Sequence, residues 1–260
     1  MSEVFGRAYS VQAFFRALRS FPVISWSGSF VASLVYQIGA RPMSVSPLYV
    51  DRRPLLTGRL GDRGASWAAV PEGSSVSFRV TFDSVKSLDS LLSDFRSLEA
   101  RGLRLERLDV EEVKLPKDPL GIEEDRVLIA VEYLPTIYTF RSWRILYPSP
   151  HRLIYSAALT ASKLTGVDLR KAAMRLAKRV ELLNASKITI EKYSIGEKGG
   201  KERVVKAFRG TAVYGVYGAK NAEVFAALVK LAEKTNIGKS RGIGFGQVKL
   251  KPIKQQKHRQ

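Results

Sequence analysis

Two hydrophobic rhythms take turns along this chain, and their alternation restricts it to a mixed fold of strands and helices. Ala13, Phe15 and Ala17 alternate with Gln12, Phe14 and Arg16, a period of two that predicts a strand. Ser27 stands where it can cap a helix running to about Ala40, with Phe30, Leu34 and Tyr36 at helical spacing and Gly39 at its stop. Met43 to Val50 reads as extended, and Arg52-Arg53-Pro54 as a basic turn. Phe78, Val80 and Phe82 share one face of a further strand. Val85, Leu88, Leu91, Leu92, Phe95 and Leu98 then mark a helix from Ser84 to Arg101. Strands at Leu105–Val113 and Val127–Leu134 close the unit. The order β-α-β-β-α-β predicts a ferredoxin-like (RRM-like) unit with additions.

The second half repeats the theme less regularly. Ile137 to Leu146 reads as a strand, stopped by Pro148-Ser149-Pro150. Helices follow at about His151–Thr165 and Asp168–Leu183. Lys187–Ser194 and Arg203–Tyr217 read as two strands joined through the flexible tip Gly196–Gly200. Asn221 is placed to cap a last helix to Lys234, before a glycine-rich loop, a final strand Gln247–Ile253 and a frayed basic tail. The expected fold is α+β, with domains at 1–135 and 136–260 meeting at Pro135-Thr136.

Charge steps at the same place. Residues 1–135 carry 17 Lys+Arg and 17 Asp+Glu, whereas residues 136–260 carry 26 and 7, so the whole formal charge of +19 lies in the second half. Such an asymmetry points to a polyanion, nucleic acid before membrane. The absence of Cys excludes disulfide scaffolds, thiolate metal sites and cysteine nucleophiles. Two His are too few for a histidine-rich metal centre, and no metal or cofactor is expected. No apolar run has the length of a membrane span and no secretory leader opens the chain, so a cytoplasmic location is expected. Only three Asn and six Gln lean towards a hot habitat, archaeal or thermophilic.

The densest motif is Gly238-Lys239-Ser240-Arg241-Gly242-Ile243-Gly244-Phe245-Gly246. Gly242, Gly244 and Gly246 free the backbone for close approach, while Lys239, Ser240 and Arg241 offer donors to phosphate. A P-loop is excluded, because Glu233 stands where that motif needs glycine and the order here is helix, loop, strand. The architectural reading of the same glycines is a turn that permits a close strand crossing.

That loop, together with Gly210-Thr211-Ala212-Val213-Tyr214-Gly215-Val216-Tyr217-Gly218 and the helix between them, resembles the C-terminus of the RAMP proteins. It is most similar to the CRISPR-associated endoribonucleases that cut repeat RNA, the Cas-six family. Met43-Ser44-Val45-Ser46-Pro47-Leu48 and Pro148-Ser149-Pro150 also fall where that family places comparable segments. The resemblance implies two tandem ferredoxin-like domains with RNA in the cleft between them. It implies cleavage without metal, in which a ribose 2′-hydroxyl attacks the adjacent phosphate and leaves a 2′,3′-cyclic phosphate. It further implies CRISPR repeat RNA or its precursor transcript as partner, with other CRISPR effector subunits or a second copy as further candidates. A non-catalytic RAMP-type subunit that binds or scaffolds guide RNA is the alternative.

Many members place a histidine just after the first helix, where this chain has Gly39, Ala40 and Arg41. The reaction needs a base, an acid and cations around the phosphorane. Tyr36, Arg41 and His151 are the catalytic candidates, His151 because a helix start suits a neutral imidazole. Arg52, Arg53, Lys239, Ser240, Arg241, Gly242, Gly244 and Gly246 are the RNA-binding candidates. Arg170, Lys171, Arg175, Lys178 and Arg179 form a basic stripe that suits either an RNA backbone or solvent. The acidic run from Glu111 to Asp125 lacks the order of a calcium loop and reads as solvated.

Overall fold

In the computed structural model, which describes residues 7–62, 64–83, 88–89, 95–115 and 126–251, the strand Tyr9–Ala17 lies at the centre of the first sheet. It pairs antiparallel with Leu103–Glu112 on one side and Ser75–Phe82 on the other. Ser75–Phe82 in turn pairs with the short strands Ser44–Val45 and Tyr49–Val50. Taken in chain order these four strand positions lie 4-1-3-2, the arrangement that a β-α-β-β-α-β unit produces. The period of two has the expected cause. Val11, Ala13, Phe15 and Ala17 are buried under the helical layer, while Gln12, Phe14 and Arg16 lie on the opposite face.

Helix α1, Ser27–Gln37, covers this sheet with Val31, Ala32, Leu34 and Val35. Ser27 is not its cap. The cap position is Trp26, and the Ser27 hydroxyl donates to the Leu55 carbonyl at 2.5 Å. Of the expected helix Ser84–Arg101, the described part includes a 3₁₀ segment, Phe95–Arg101; residues 84–87 and 90–94 lie outside the described residues, as do Asp118–Asp125 and the tail with His258.

The strand expected to close the first unit belongs to the second. Arg126–Thr136 pairs with Lys201–Tyr217 on one side and Val248–Leu250 on the other. Val180–Asn184 lies outside Lys201–Tyr217, so this sheet too has the 2-3-1-4 order of a β-α-β-β-α-β unit. Val127, Ile129, Val131 and Tyr133 face the core built by α2 (Pro150–Thr165), α3 (Arg170–Ala177) and α4 (Ala219–Thr235). The sheets therefore change between Glu112 and Arg126, and the expected division at Pro135-Thr136 falls at the end of the strand Arg126–Thr136. Periodicity identifies a strand but not the sheet it joins.

Local corrections follow from turns. Ile137–Leu146 is a hairpin, Tyr138–Phe140 with Trp143–Ile145, because Arg141 adopts φ 53° and reverses the chain. Asp168–Leu183 divides into α3 and the strand Val180–Asn184. Asn221 lies inside α4, its amide donating to the Tyr217 carbonyl at 2.6 Å, and Gly218 holds the cap position. The long hairpin turns at Gly199 and Gly200, both at positive φ, which join the paired residues Lys198 and Lys201.

Each unit has its own apolar core. A small third cluster of Trp26, Ile137, Tyr193, Ala207 and Phe245 joins them, the Trp26 ring 5.0 Å from Phe245 and 5.3 Å from Tyr193. Buried polar bonds fasten the same seam. The Asn236 side chain donates to the Val45 carbonyl at 2.8 Å and accepts from Arg79 at 3.2 Å. The Thr81 hydroxyl donates to the Lys234 carbonyl at 2.5 Å. Across a seam of this kind the units keep one orientation, because each buried polar group would lose its partner on separation.

Candidate functional site

The glycine-rich loop leaves the end of α4 and runs along this seam. Most of its glycines are committed to the protein itself. A Cβ on Gly246 would stand 1.8 Å from the Ile237 carbonyl oxygen, and one on Gly238 2.3 Å from that of Ile137. One on Gly244 would stand 2.6 Å from the Gly28 Cα, where the first turn of α1 crosses the loop. Gly238, Gly244 and Gly246 all adopt positive φ besides, so side chains are refused twice over. Their backbones complete the crossing: Gly246 N–H donates to the Pro135 carbonyl at 2.8 Å, and Trp26 Nε1–H to the Ile243 carbonyl at 2.7 Å. The expectation that Gly244 and Gly246 open the backbone to RNA gives way to a close chain crossing.

Gly242 differs. A Cβ there would meet only the Tyr36 hydroxyl, at 3.5 Å. Tyr36 is 52% exposed and stands at the open side of the loop. Lys239 is exposed on the same loop, and its backbone N–H is held by the Ile137 carbonyl at 2.8 Å. Ser240 takes φ 64° and its carbonyl accepts from the Ile243 N–H, closing a single turn, Arg241–Ile243. Arg241 is half-buried and donates to Thr160 Oγ1 at 3.0 Å; burial lowers its guanidinium pKa below the ordinary value. Its charge is thus partly desolvated and fixed on α2. Ser156 of the same helix accepts from the Gly238 N–H at 2.9 Å.

The other candidates fall at different distances from this point. Arg41 is exposed in the segment that follows α1. Arg52 and Arg53 are exposed at a hairpin turn in which Asp51 and Arg52 have φ 47° and 67°. Arg52 lines a cavity of about 280 Å³ with Gln12, Phe14, Tyr49, Arg79 and Gln247, the residue after Gly246. Tyr49 donates to Gln247 Oε1 at 2.9 Å across that cavity, and burial raises its phenol pKa. His151 sits in the first turn of α2, its ring 6.4 Å from that of Tyr155. It lies about 140° around the helix from Ser156, away from the loop contacts. Burial, then the neighbouring Arg152 charge, lowers its pKa below the ordinary imidazole value. The basic stripe is exposed: Arg170, Lys171 and Arg175 on α3, with Arg170 paired to Asp168 at 2.9 Å, and Lys178 and Arg179 just beyond it.

Sequence reasoning missed Trp26, Ser156 and Thr160. The i, i+4 spacing of the two hydroxyls on an amphipathic helix was the available signal for the second and third. Among the described residues, no three His, Asp or Glu come together as a group able to hold a metal ion. None of the described helices is long and apolar enough to cross a membrane.

Residues 133–248 match the family of the CRISPR-associated endoribonuclease Cas6. The comparison with curated proteins found no match. The fold is similar to that of a Cas6 product complex, with TM-score 0.61 at 14% identity over 94% of this chain and 100% of that one. It is also similar to Thermus thermophilus Cas6, with TM-score 0.58 at 13% identity over 95% and 99%. In a Cas6-RT-Cas1–Cas2 complex, 98% of this chain matches 30% of the longer one with TM-score 0.62 at 10% identity. The family resembled by the glycine-rich end is thus the one matched over residues 133–248, and the fold is similar to that of solved Cas6 proteins along nearly the whole chain.

Proposed function

We propose that this chain binds CRISPR repeat RNA along the open side of the glycine-rich loop and cleaves it by attack of a ribose 2′-hydroxyl on the adjacent phosphate. The observation that carries the reading is the meeting of Tyr36, from the end of α1, with Gly242 on the loop that presents Lys239. These are the two segments from which the family resemblance draws its site residues. The exposed ammonium of Lys239 offsets charge growing on the phosphorane. Arg241, held by Thr160, supports the same field from beneath. Tyr36 places a hydroxyl at the reacting groups, and Arg41 contributes a cation from the segment beyond α1. His151 stands outside this grouping and serves RNA contact rather than proton transfer. Arg52 and Arg53 hold phosphates further along the seam.

Other CRISPR proteins are proposed partners, since a Cas6 protein in the solved set is part of a Cas6-RT-Cas1–Cas2 complex. The non-catalytic reading, an RNA scaffold, is favoured by one observation: Gly39, Ala40 and Arg41 leave no histidine after α1.

Incubation of end-labelled repeat RNA with the protein in EDTA tests the reaction. The expected result is a product ending in a 2′,3′-cyclic phosphate, and a Tyr36→Phe variant that binds normally and cleaves at least ten-fold more slowly, as loss of a group acting on a proton gives. Tight binding with no cleavage of any repeat would leave the scaffold reading.

A further inference from the structure

The hairpin Tyr138–Phe140/Trp143–Ile145 begins where the loop is fastened, since Lys239 N–H donates to the carbonyl of Ile137. Phe140 and Trp143 are directly opposed in its register, so both side chains lie on one face. That face is buried at Tyr138, which is 1% exposed, and runs off the edge of the core at Phe140 and Trp143, which are 48% and 76% exposed. Tyr147, just past the hairpin, is 54% exposed.

The surroundings are cationic. The guanidinium carbon of Arg152 lies 4.5 Å from the Phe140 ring centroid and that of Arg141 5.5 Å. From Tyr133 to Val167 the chain contains Arg141, Arg144, Arg152 and Lys163 and no acidic residue. Arg152, Ser156 and Thr160 recur every four residues on one side of α2, and reach respectively the hairpin, Gly238 and Arg241. Helix α2 therefore touches both the hairpin and the loop, with Phe140 about 10 Å along the strand from Ile137.

Resting on the RNA-binding reading above, we infer that Phe140 and Trp143 are a stacking platform for unpaired bases of the same RNA, next to the glycine-rich loop. A partly exposed aromatic pair with arginines against the Phe140 ring, in a segment without acidic residues, matches a base-and-phosphate chain, whose bases all offer a flat face while its backbone meets the arginines. The sequence predicted none of this, because the segment reads as one strand until its turn at Arg141 is seen.

The test uses the full chain with Trp67→Phe, which leaves Trp143 as the exposed indole beside the buried Trp26. A short single-stranded oligoadenylate is expected to quench its emission. Trp143→Ala is expected to weaken oligoadenylate and repeat RNA binding about ten-fold, the size of one lost base stack, with the salt dependence unchanged. Trp143→Phe restores most of the affinity. Unchanged affinity in Trp143→Ala, or bound oligoadenylate without quenching, overturns the platform. If Lys239→Ala still weakens binding in that case, the platform alone fails and the RNA-binding reading stands; if the wild type binds no RNA, both fail. Unchanged RNA affinity with a self-associated form lost in Trp143→Ala assigns the face to a second copy of the chain instead.

Discussion

The two sides of the glycine-rich loop share a backbone and differ in what they touch. On the inner side, Gly238, Gly244 and Gly246 press against Ile137, Gly28 and Ile237 so closely that no side chain fits. On the outer side, Lys239 is exposed and Gly242 has only the Tyr36 hydroxyl near it. The difference teaches that a dense run of glycines is not by itself a ligand cradle. Here the glycines let two ferredoxin-like units cross, and the crossing holds a few outward groups in fixed positions.

The comparison breaks most readily on the inner side. Gly246→Ala is expected to cost about 3 kcal/mol in unfolding free energy, the upper end of overpacking, because its Cβ meets a backbone carbonyl and its φ of 82° disfavours any side chain. Chemical denaturation measures it. A loss under about 0.5 kcal/mol, the size of an ordinary surface change, would show that the crossing is looser than described.

What the sequence made legible, and what it did not, follows the same division between local pattern and contact. The buried stripe Val11, Ala13, Phe15 and Ala17 is a local signal, and the strand appears where the period of two predicts it. Arg126–Thr136 has an equally clear pattern, yet its sheet is decided by partners at Lys201–Tyr217 and Val248–Leu250, far along the chain. The hairpin turns at Arg141-Ser142, without Gly, Pro or Asn at its tip, and Ser142 alone is a weak turn signal. Ser27 had the chemistry of a cap, but a carbonyl at Leu55 took its hydroxyl. The loop itself announced that it was special; only the contacts separate Gly242 from Gly246.

Gly242→Ala sharpens the comparison from the outer side. With only the Tyr36 hydroxyl near the added methyl, at van der Waals distance, it is expected to change stability by no more than about 0.5 kcal/mol, while the methyl narrows RNA access to that hydroxyl and slows cleavage. A stability loss as large as that of Gly246→Ala would erase the distinction between the two sides.

The central claim, that the outer side of the loop meets RNA while the inner side holds the fold, is tested most directly by Lys239→Ala. Its repeat RNA affinity and its melting temperature are measured on the same preparation. The account predicts affinity lower by about 1–3 kcal/mol, the size of a lost charge-assisted contact, with the melting temperature unchanged because the ammonium is exposed. Wild-type affinity and cleavage at an unaltered melting temperature would contradict it, and would leave the loop as architecture alone.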